Sequence, residues 1–134
     1  MTSFIDANVF NEDANYDQQF WQVLAKKANQ EEIALKAQTI ANPFGVPQFT
    51  TLMTAEHHTD LAVQTAKESD KAVSLTLAGQ LAAGESKVFE KRVIVVTSRD
   101  YEDADRLDAA ASDLLAKQSQ QSFDTLKAAQ VAAW

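Results

Sequence analysis

The chain has 134 residues, no cysteine and a formal net charge of −7 at pH 7. Because it has no cysteine, it can form neither a disulfide scaffold nor a cysteine-ligated zinc site. Its lysines and arginines are dispersed among carboxylates, so it lacks the basic face that nucleic acids and anionic membranes require. We therefore expect neither a nucleic acid nor a membrane as a partner.

A chain of this length is typical of one domain with its own hydrophobic core, and we predict a single domain over residues 1–134. No apolar run approaches the roughly 20 residues that span a bilayer. The first residues, Met1–Asp6, also lack the basic and apolar stretches of a signal peptide. These features predict a protein that is not secreted by a signal peptide and lies in the cytoplasm or within a soluble particle.

The N-terminal part is predicted to be an irregular arm over residues 1–15, followed by two helices within residues 16–41. The arm is rich in asparagine and aspartate. Beyond it, apolar residues recur at the spacing of one helix face: Phe20, Val23, Leu24 and Ala28. Asn29 and Glu32 have the spacing of a capping box, which predicts the start of the second helix, and Pro43 follows its end.

Residues 48–98 are predicted to form an antiparallel meander of three or four strands. Apolar and polar residues alternate there in several short runs, as in half-buried strands: Gln48–Thr54, Leu61–Lys67 and Ala72–Ala78. The stretch Lys87–Ser98 contains the β-branched run Val93-Ile94-Val95-Val96. Because a continuous apolar run is typical of a strand covered on both faces, we predict that Lys87–Ser98 is the central strand on which the helices pack.

A second interpretation is an αβαβα unit, in which His57–Ala83 is one long central helix with apolar residues along one side. We prefer the meander for two reasons. The stretch is rich in valine and threonine, which favour strands. In addition, Glu68-Ser69-Asp70 would place turn-forming residues in the middle of a helix.

Residues 100–134 are predicted to form one long amphipathic helix. They contain no glycine or proline, and Asp100 can cap a first turn that is rich in carboxylates: Glu102, Asp103 and Asp105. A helix that continues through the polar stretch Ser119–Ser122 has about nine turns, more than a small domain covers. The predicted fold class is therefore α+β, with two N-terminal helices, an antiparallel three- or four-stranded β-meander and a long C-terminal helix.

No sequence motif predicts catalysis or a cofactor. The nucleophile elbow and the glycine-rich phosphate-binding loops are absent, and the chain has only three glycines. His57 and His58 are the candidate metal ligands because they are the two histidines of the chain. Neighbouring side chains point in different directions on a strand or a helix, so we expect no native metal site there.

Apolar side chains near the two ends predict a protein interface. Trp134 follows an apolar helical face, and a tryptophan at the end of a chain can anchor in a partner's pocket. The candidate interaction residues are Phe4, Phe10, Phe123, Leu126, Val131 and Trp134.

These features favour a non-enzymatic structural or assembly subunit, which associates with itself or docks in a larger particle such as a virion. One alternative is a small metal-dependent enzyme or ligand-binding domain that uses His57 and His58. Another is an adaptor that docks its C-terminal helix in a partner's groove. We expect the partner to be the chain itself or another protein, and we expect no cofactor.

Overall fold

The computed structural model describes residues 1–9, 19–101 and 103–134. Its strands are β1 (Thr2–Asp6), β2 (Trp21–Ala28), β3 (Glu32–Thr39), β4 (Thr50–Thr59), β5 (Ala62–Glu68), β6 (Ala72–Ala78) and β7 (Phe89–Thr97). A short 3-10 helix (Ala104–Arg106) leads into helix α1 (Leu107–Ser119), and helix α2 (Phe123–Ala133) follows. Within these described ranges, no helix is long and apolar enough to cross a membrane.

The strands form two antiparallel sheets that pack face to face. The four-stranded sheet has the order β2-β3-β4-β7, and the three-stranded sheet has the order β1-β6-β5. The main core lies between them and contains buried side chains from both: Ile5, Ala7, Ile33, Leu35, Ala37, Ala55, Val73, Leu75 and Leu77. Helix α1 packs on the outer face of the four-stranded sheet and forms a second core with β4 and β7: Leu52, Ile94, Val96, Leu107 and Ala111. The architecture is a β-sandwich with a helix on one outer face.

The predicted pair of N-terminal helices is wrong, because β2 and β3 form a hairpin in their place. Strand β3 buries every second residue, which is the period of a strand. In β2 a bulge between Val23 and Ala25 shifts the register. The residues of β2 that lie opposite the buried residues of β3 are therefore separated by three positions and then by two: Val23, Lys26 and Ala28. Because of this irregular separation, the apolar residues of β2 have spacings in the sequence that resemble those of one helix face.

The predicted irregular arm contains a regular strand, since β1 pairs with β6 along its whole length. Phe10 and the predicted start of the first helix, at residue 16, lie outside the described residues. The arm therefore forms part of the sandwich where it is described.

Residues 48–98 contain four antiparallel strands, but these strands do not form one meander. β4 and β7 belong to the four-stranded sheet, whereas β5 and β6 belong to the three-stranded sheet. The alternative long helix over His57–Ala83 is also wrong, because β5 and β6 occupy most of it. The predicted central strand is β7, and it lies at an edge of its sheet.

The predicted single C-terminal helix is wrong as well. Asp103, rather than Asp100, caps the first helical turn, where its Oδ1 accepts a hydrogen bond of 2.9 Å from the Asp105 amide; Glu102 lies outside the described residues. The polar stretch separates α1 from α2, and Ser122 Oγ accepts a hydrogen bond of 3.2 Å from the Thr125 amide at the start of α2. A β-sandwich with C-terminal helices thus replaces the predicted α+β fold, and the extent of the domain, residues 1–134, stays a prediction.

Candidate functional site

A cleft of about 650 Å³ lies between helix α1 and the outer face of β2, β3 and β4. Strand alternation makes its floor, because the residues of β3 that do not point into the core point into the cleft: Glu32, Ala34 and Lys36. Helix α1 supplies one wall with Asp108, Ala111, Ser112 and Leu115. The cleft therefore combines charged side chains with small and apolar ones.

Two carboxylates face each other across the floor of the cleft. Glu32 on β3 is the register partner of Glu56 on β4. Glu32 forms an ion pair of 2.5 Å with Lys27, and Thr54 Oγ1 donates a hydrogen bond of 2.7 Å to its other oxygen. Glu56 Oε2 lies 3.0 Å from His58 Nε2. Each carboxylate thus has its own partner, which reduces the repulsion between them.

Burial acts to raise the pKa of Glu32, but the hydrogen bonds from Lys27 and Thr54 and the charge of Lys27 outweigh it. The pKa of this carboxyl group therefore lies below its ordinary value, and Glu32 is ionised at neutral pH. General acid catalysis by a carboxyl group requires the opposite shift, toward neutral pH. Glu32 is therefore a structural anion of the cleft rather than a proton donor.

Two basic residues hold α1 against the sheet. Lys36 Nζ forms an ion pair of 2.8 Å with Asp108 Oδ2 at the start of the helix. At its other end, Arg92 on β7 donates to the carbonyl oxygen of Gln118 and, over 3.0 Å, to that of Gln121. The last carbonyls of a helix lack partners within it and carry partial negative charge, so a guanidinium there stabilises the end of α1. The cleft consequently has a wall fixed at both ends.

The two candidate metal ligands lie on opposite faces of β4. His57 points between the sheets, where its Nε2 lies 2.8 Å from Ser3 Oγ and its ring packs beside Phe89. His58 points outward to Glu56. In the part of the chain that the structure describes, no group of three or more histidine, aspartate or glutamate side chains is placed to hold a metal ion.

The candidate interaction residues are far apart in the fold. Phe4 lies on the outer face of β1, whereas four others lie on or just beyond α2, a helix with no buried residue: Phe123, Leu126, Val131 and Trp134. The side chain of Trp134 is 97% exposed, and Leu126 is half-buried. Phe10 falls outside the described residues. Their role in binding a partner stays a prediction.

No pattern in the sequence identifies the residues of the cleft. The spacing of Asn29 and Glu32 predicts a helix cap, and Asn29 does accept hydrogen bonds through its side chain, from the amides of Glu31 and Glu32 at 2.9 and 2.8 Å. These bonds close the turn between β2 and β3 instead of starting a helix. The signal that identifies the strand is the alternation of Ile33, Leu35 and Ala37, which places Glu32 and Lys36 on the other face.

The fold is that of a β-sandwich domain, and comparison with known proteins shows the family to which this domain belongs. The family model for "Glycosyl hydrolase family 65, N-terminal domain" matches residues 1–134, and the chain belongs to this family. It is similar to a maltose phosphorylase of Bacillus subtilis (strain 168), with 35% identity over 134 residues. The match covers 100% of this chain and 17% of the relative, so the chain spans about a sixth of that protein's length.

This membership overturns the function predicted from the sequence. A domain of a glycosyl hydrolase family is related to an enzyme, so the non-enzymatic assembly subunit and virion component are wrong. The two alternatives, an adaptor and a small metal-dependent enzyme or ligand-binding domain that uses His57 and His58, are contradicted as well. The family relates the chain to a maltose phosphorylase instead. The prediction that the chain is not an enzyme is wrong for the same reason, since the lack of catalytic motifs in this segment does not exclude an enzyme family.

Proposed function

We propose that this chain acts as the N-terminal domain of a family 65 enzyme that cleaves maltose, or a closely related disaccharide, with phosphate. The observation that carries the proposal is the 35% identity to a maltose phosphorylase, which extends over the whole chain. The matched family model also extends over residues 1–134. Similarity along an entire β-sandwich supports a shared structural role better than a short motif would, because it includes the core of both sheets.

We further propose that the domain supports the reaction without supplying the reacting groups. Enzymatic cleavage of a glycosidic bond commonly uses a carboxylic acid with a raised pKa to protonate the leaving oxygen. In the cleft the hydrogen bonds from Lys27 and Thr54 hold the pKa of Glu32 below its ordinary value. The chain also spans only 17% of the relative. These facts support a reaction centre located in the rest of a longer polypeptide.

The fixed wall of the cleft supports a role as a rigid platform. Lys36 and Arg92 bind the two ends of α1, so this helix presents a constant surface to whatever adjoins it. In this proposal the protein partner expected from the sequence is the remainder of the same enzyme. The cytoplasm stays the proposed location, supported by the lack of any cysteine for disulfide bonds.

A chimera tests the proposal. In the maltose phosphorylase of Bacillus subtilis (strain 168), the segment that matches this chain is replaced by residues 1–134, and phosphate-dependent cleavage of maltose is measured. We expect the chimera to be active and the isolated chain to be inactive. A folded chimera without activity, or an isolated chain that cleaves maltose, would contradict the proposal.

Substitutions in the cleft separate support from catalysis. We expect Glu32→Gln and Glu56→Gln in the chimera to reduce kcat by less than about tenfold, since loss of a general acid or base costs roughly 100-fold or more. The matched control is Glu85→Gln, a carboxylate in the exposed turn that precedes β7. A loss of about 100-fold or more in either cleft variant, with the control unchanged, would assign the reaction to this domain.

A further inference from the structure

The inner face of the four-stranded sheet is covered at its centre and uncovered at β7. Ile33, Ala55 and Val93 form one row across β3, β4 and β7. The first two are 0% exposed, whereas Val93 is 48% exposed. The next row runs from Leu35 to Val95, which is 51% exposed. In both rows the residue on β3 is therefore buried, whereas the residue on the edge strand β7 is exposed.

The opposite face of β7 is fully packed. Ile94 and Val96 are buried beneath α1 in the second core. The strand thus presents four consecutive β-branched residues, of which two are covered and two are not. Such a run is typical of a strand that is buried on both faces. The sequence of β7 is therefore the one expected of a strand whose inner face is also covered.

The uncovered area exists because the three-stranded sheet is one strand narrower. β5 contacts β2, β6 contacts β2 and β3, and β1 contacts β3. His57 on β4 also reaches Ser3 on β1. Among the described residues no strand lies beyond β1 in this sheet. A strand added next to β1 would continue this order and lie over β4 and β7.

The backbone of β1 is arranged to accept such a strand. The carbonyl of Met1 accepts from the Leu77 amide, and the Ala7 amide donates to the carbonyl of Lys71, both toward β6. Because backbone groups of successive residues point to opposite sides of an antiparallel strand, those of Thr2, Phe4 and Asp6 point to the outer edge. Among the described residues β1 pairs only with β6, so its other edge has amides and carbonyls without a strand partner there. Such an edge beside an apolar face is a template for strand addition.

We propose that a β-strand from another part of the same longer family 65 polypeptide adds to the edge of β1 and covers Val93 and Val95. The identity of this segment rests on the proposed function, because the chain spans 17% of its maltose phosphorylase relative. The uncovered valines continue the rows of the existing core, which favours an intramolecular occupant. The added strand places alternate apolar residues on Val93 and Val95 and a polar or acidic residue near Lys91, which shares their face.

Amide hydrogen exchange tests the proposal. We expect the amides of Thr2, Phe4 and Asp6 to exchange rapidly in the isolated chain and roughly tenfold or more slowly in the chimera described above. The amides of Ser3 and Ile5, which face β6, serve as internal controls and are expected to be protected in both. Equal rates at the edge amides in the two proteins would overturn the proposal.

The isolated chain tests the proposal independently of whether the chimera folds. Protection of the edge amides that rises with concentration would show that a second copy covers β1, and protection at every concentration would show that the chain covers its own edge. Either result overturns the proposal.

A substitution on the uncovered face provides a second measurement. We expect Val95→Lys to leave the unfolding midpoint of the isolated chain within about 2 °C and to lower that of the chimera by roughly 4 °C or more, because the ammonium would face an apolar strand. Val88→Lys, at an exposed position just before β7, is the matched control. A large loss in the isolated chain would mean that the face is already covered there and would overturn the proposal.

These outcomes are distinguishable from those that test the function. A chimera that is inactive on maltose but has protected edge amides would retain the added strand and reject the proposed reaction. A chimera that is active with unprotected edge amides would retain the reaction and reject the strand.

Discussion

His57 on β4 and Ser3 on β1 are joined by a hydrogen bond of 2.8 Å between Nε2 and Oγ, so a polar contact links the two sheets at the margin of an apolar core. Ser3 is itself buried. Burial lowers the pKa of His57 below its ordinary value; the backbone of Glu31 opposes this shift without reversing it, and the neighbouring charge of Lys91 acts in the same direction as burial. The neutral imidazole is therefore the form that fits the folded sandwich.

This relationship predicts a pH dependence of stability. Because the unfolded chain binds a proton at His57 more readily than the folded chain, stability is complete above the ordinary histidine pKa and is lost as pH falls through that value toward the lower folded one. We expect the temperature of the thermal unfolding midpoint to decrease as the pH is lowered from about 7.5 to 5.5. His57→Gln should flatten this slope. His58→Gln, on the opposite face of β4, is the control, and an unchanged slope in His57→Gln would contradict the assignment.

A second prediction concerns the core beneath α1. Leu107 is fully buried against the outer face of the sheet. We expect Leu107→Ala to lower the free energy of unfolding by roughly 2–5 kcal/mol, since it removes buried apolar surface and leaves a cavity. Urea unfolding measures this change. Val131→Ala, at an exposed site on α2, should change it by less than about 0.5 kcal/mol, and similar losses in both variants would show that α1 is not packed as described.

Arg92 provides a third prediction, because it binds the end of α1. Its guanidinium donates to the carbonyl of Gln118 in the last turn of α1 and to that of Gln121 just beyond the helix, and it forms an ion pair of 2.6 Å with Glu90. We expect Arg92→Met to cost about 1.5–3 kcal/mol and to accelerate amide exchange in the last turn of α1. The control is Lys91→Met, which changes the neighbouring charge on the other face of β7. Unchanged exchange in α1 would remove Arg92 as its C-terminal anchor.

The turn between β2 and β3 gives a fourth prediction. Asn29 Oδ1 accepts hydrogen bonds from two successive backbone amides there. We expect Asn29→Ala to reduce the free energy of unfolding by about 0.5–1.5 kcal/mol, as measured by urea titration. Gln30→Ala in the same turn is the control, with an expected change below about 0.5 kcal/mol. Equal effects of the two substitutions would mean that the Asn29 side chain does not hold the turn.

Some local sequence signals correspond to real contacts but occur in a different secondary structure from the one they predict. The side chain of Asn29 caps backbone amides, yet the same spacing serves a helix start and a hairpin turn. In β2 the bulge after Val23 changes the alternation, and no residue type in that stretch announces it. Short strands with one irregular step therefore resemble helices by spacing alone.

The position of β7 required information that a single strand does not contain. Val93–Val96 predicts a strand covered on both faces, but which elements cover it depends on pairings with distant parts of the chain. β7 pairs with β4 through residues that lie 30 (Thr59 and Phe89) to 46 (Thr51 and Thr97) positions apart, and it receives α1 on one face only. An edge strand with a fully apolar stretch is thus a departure from the usual pattern, and this departure is the basis for the strand proposed above.

The cleft was not predictable for a similar reason. Lys36 and Asp108 are separated by 72 positions, and Glu32 meets Glu56 only through the register of β3 and β4. Each residue alone resembles an ordinary surface charge. The absence of catalytic motifs is weak evidence against an enzyme family, because the chain matches only 17% of its maltose phosphorylase relative.

The two tryptophans of the chain occupy contrasting surroundings. Trp21 packs on the main core and meets the ring of Phe49 edge to face, with 6.3 Å between ring centres. Trp134 lies beyond α2 with its indole in solvent. The intrinsic fluorescence of the protein is therefore a sum of two separable signals: a shielded emitter that reports on the integrity of the sandwich, and a solvent-exposed emitter, accessible to aqueous quenchers, that reports on whatever approaches the second helix.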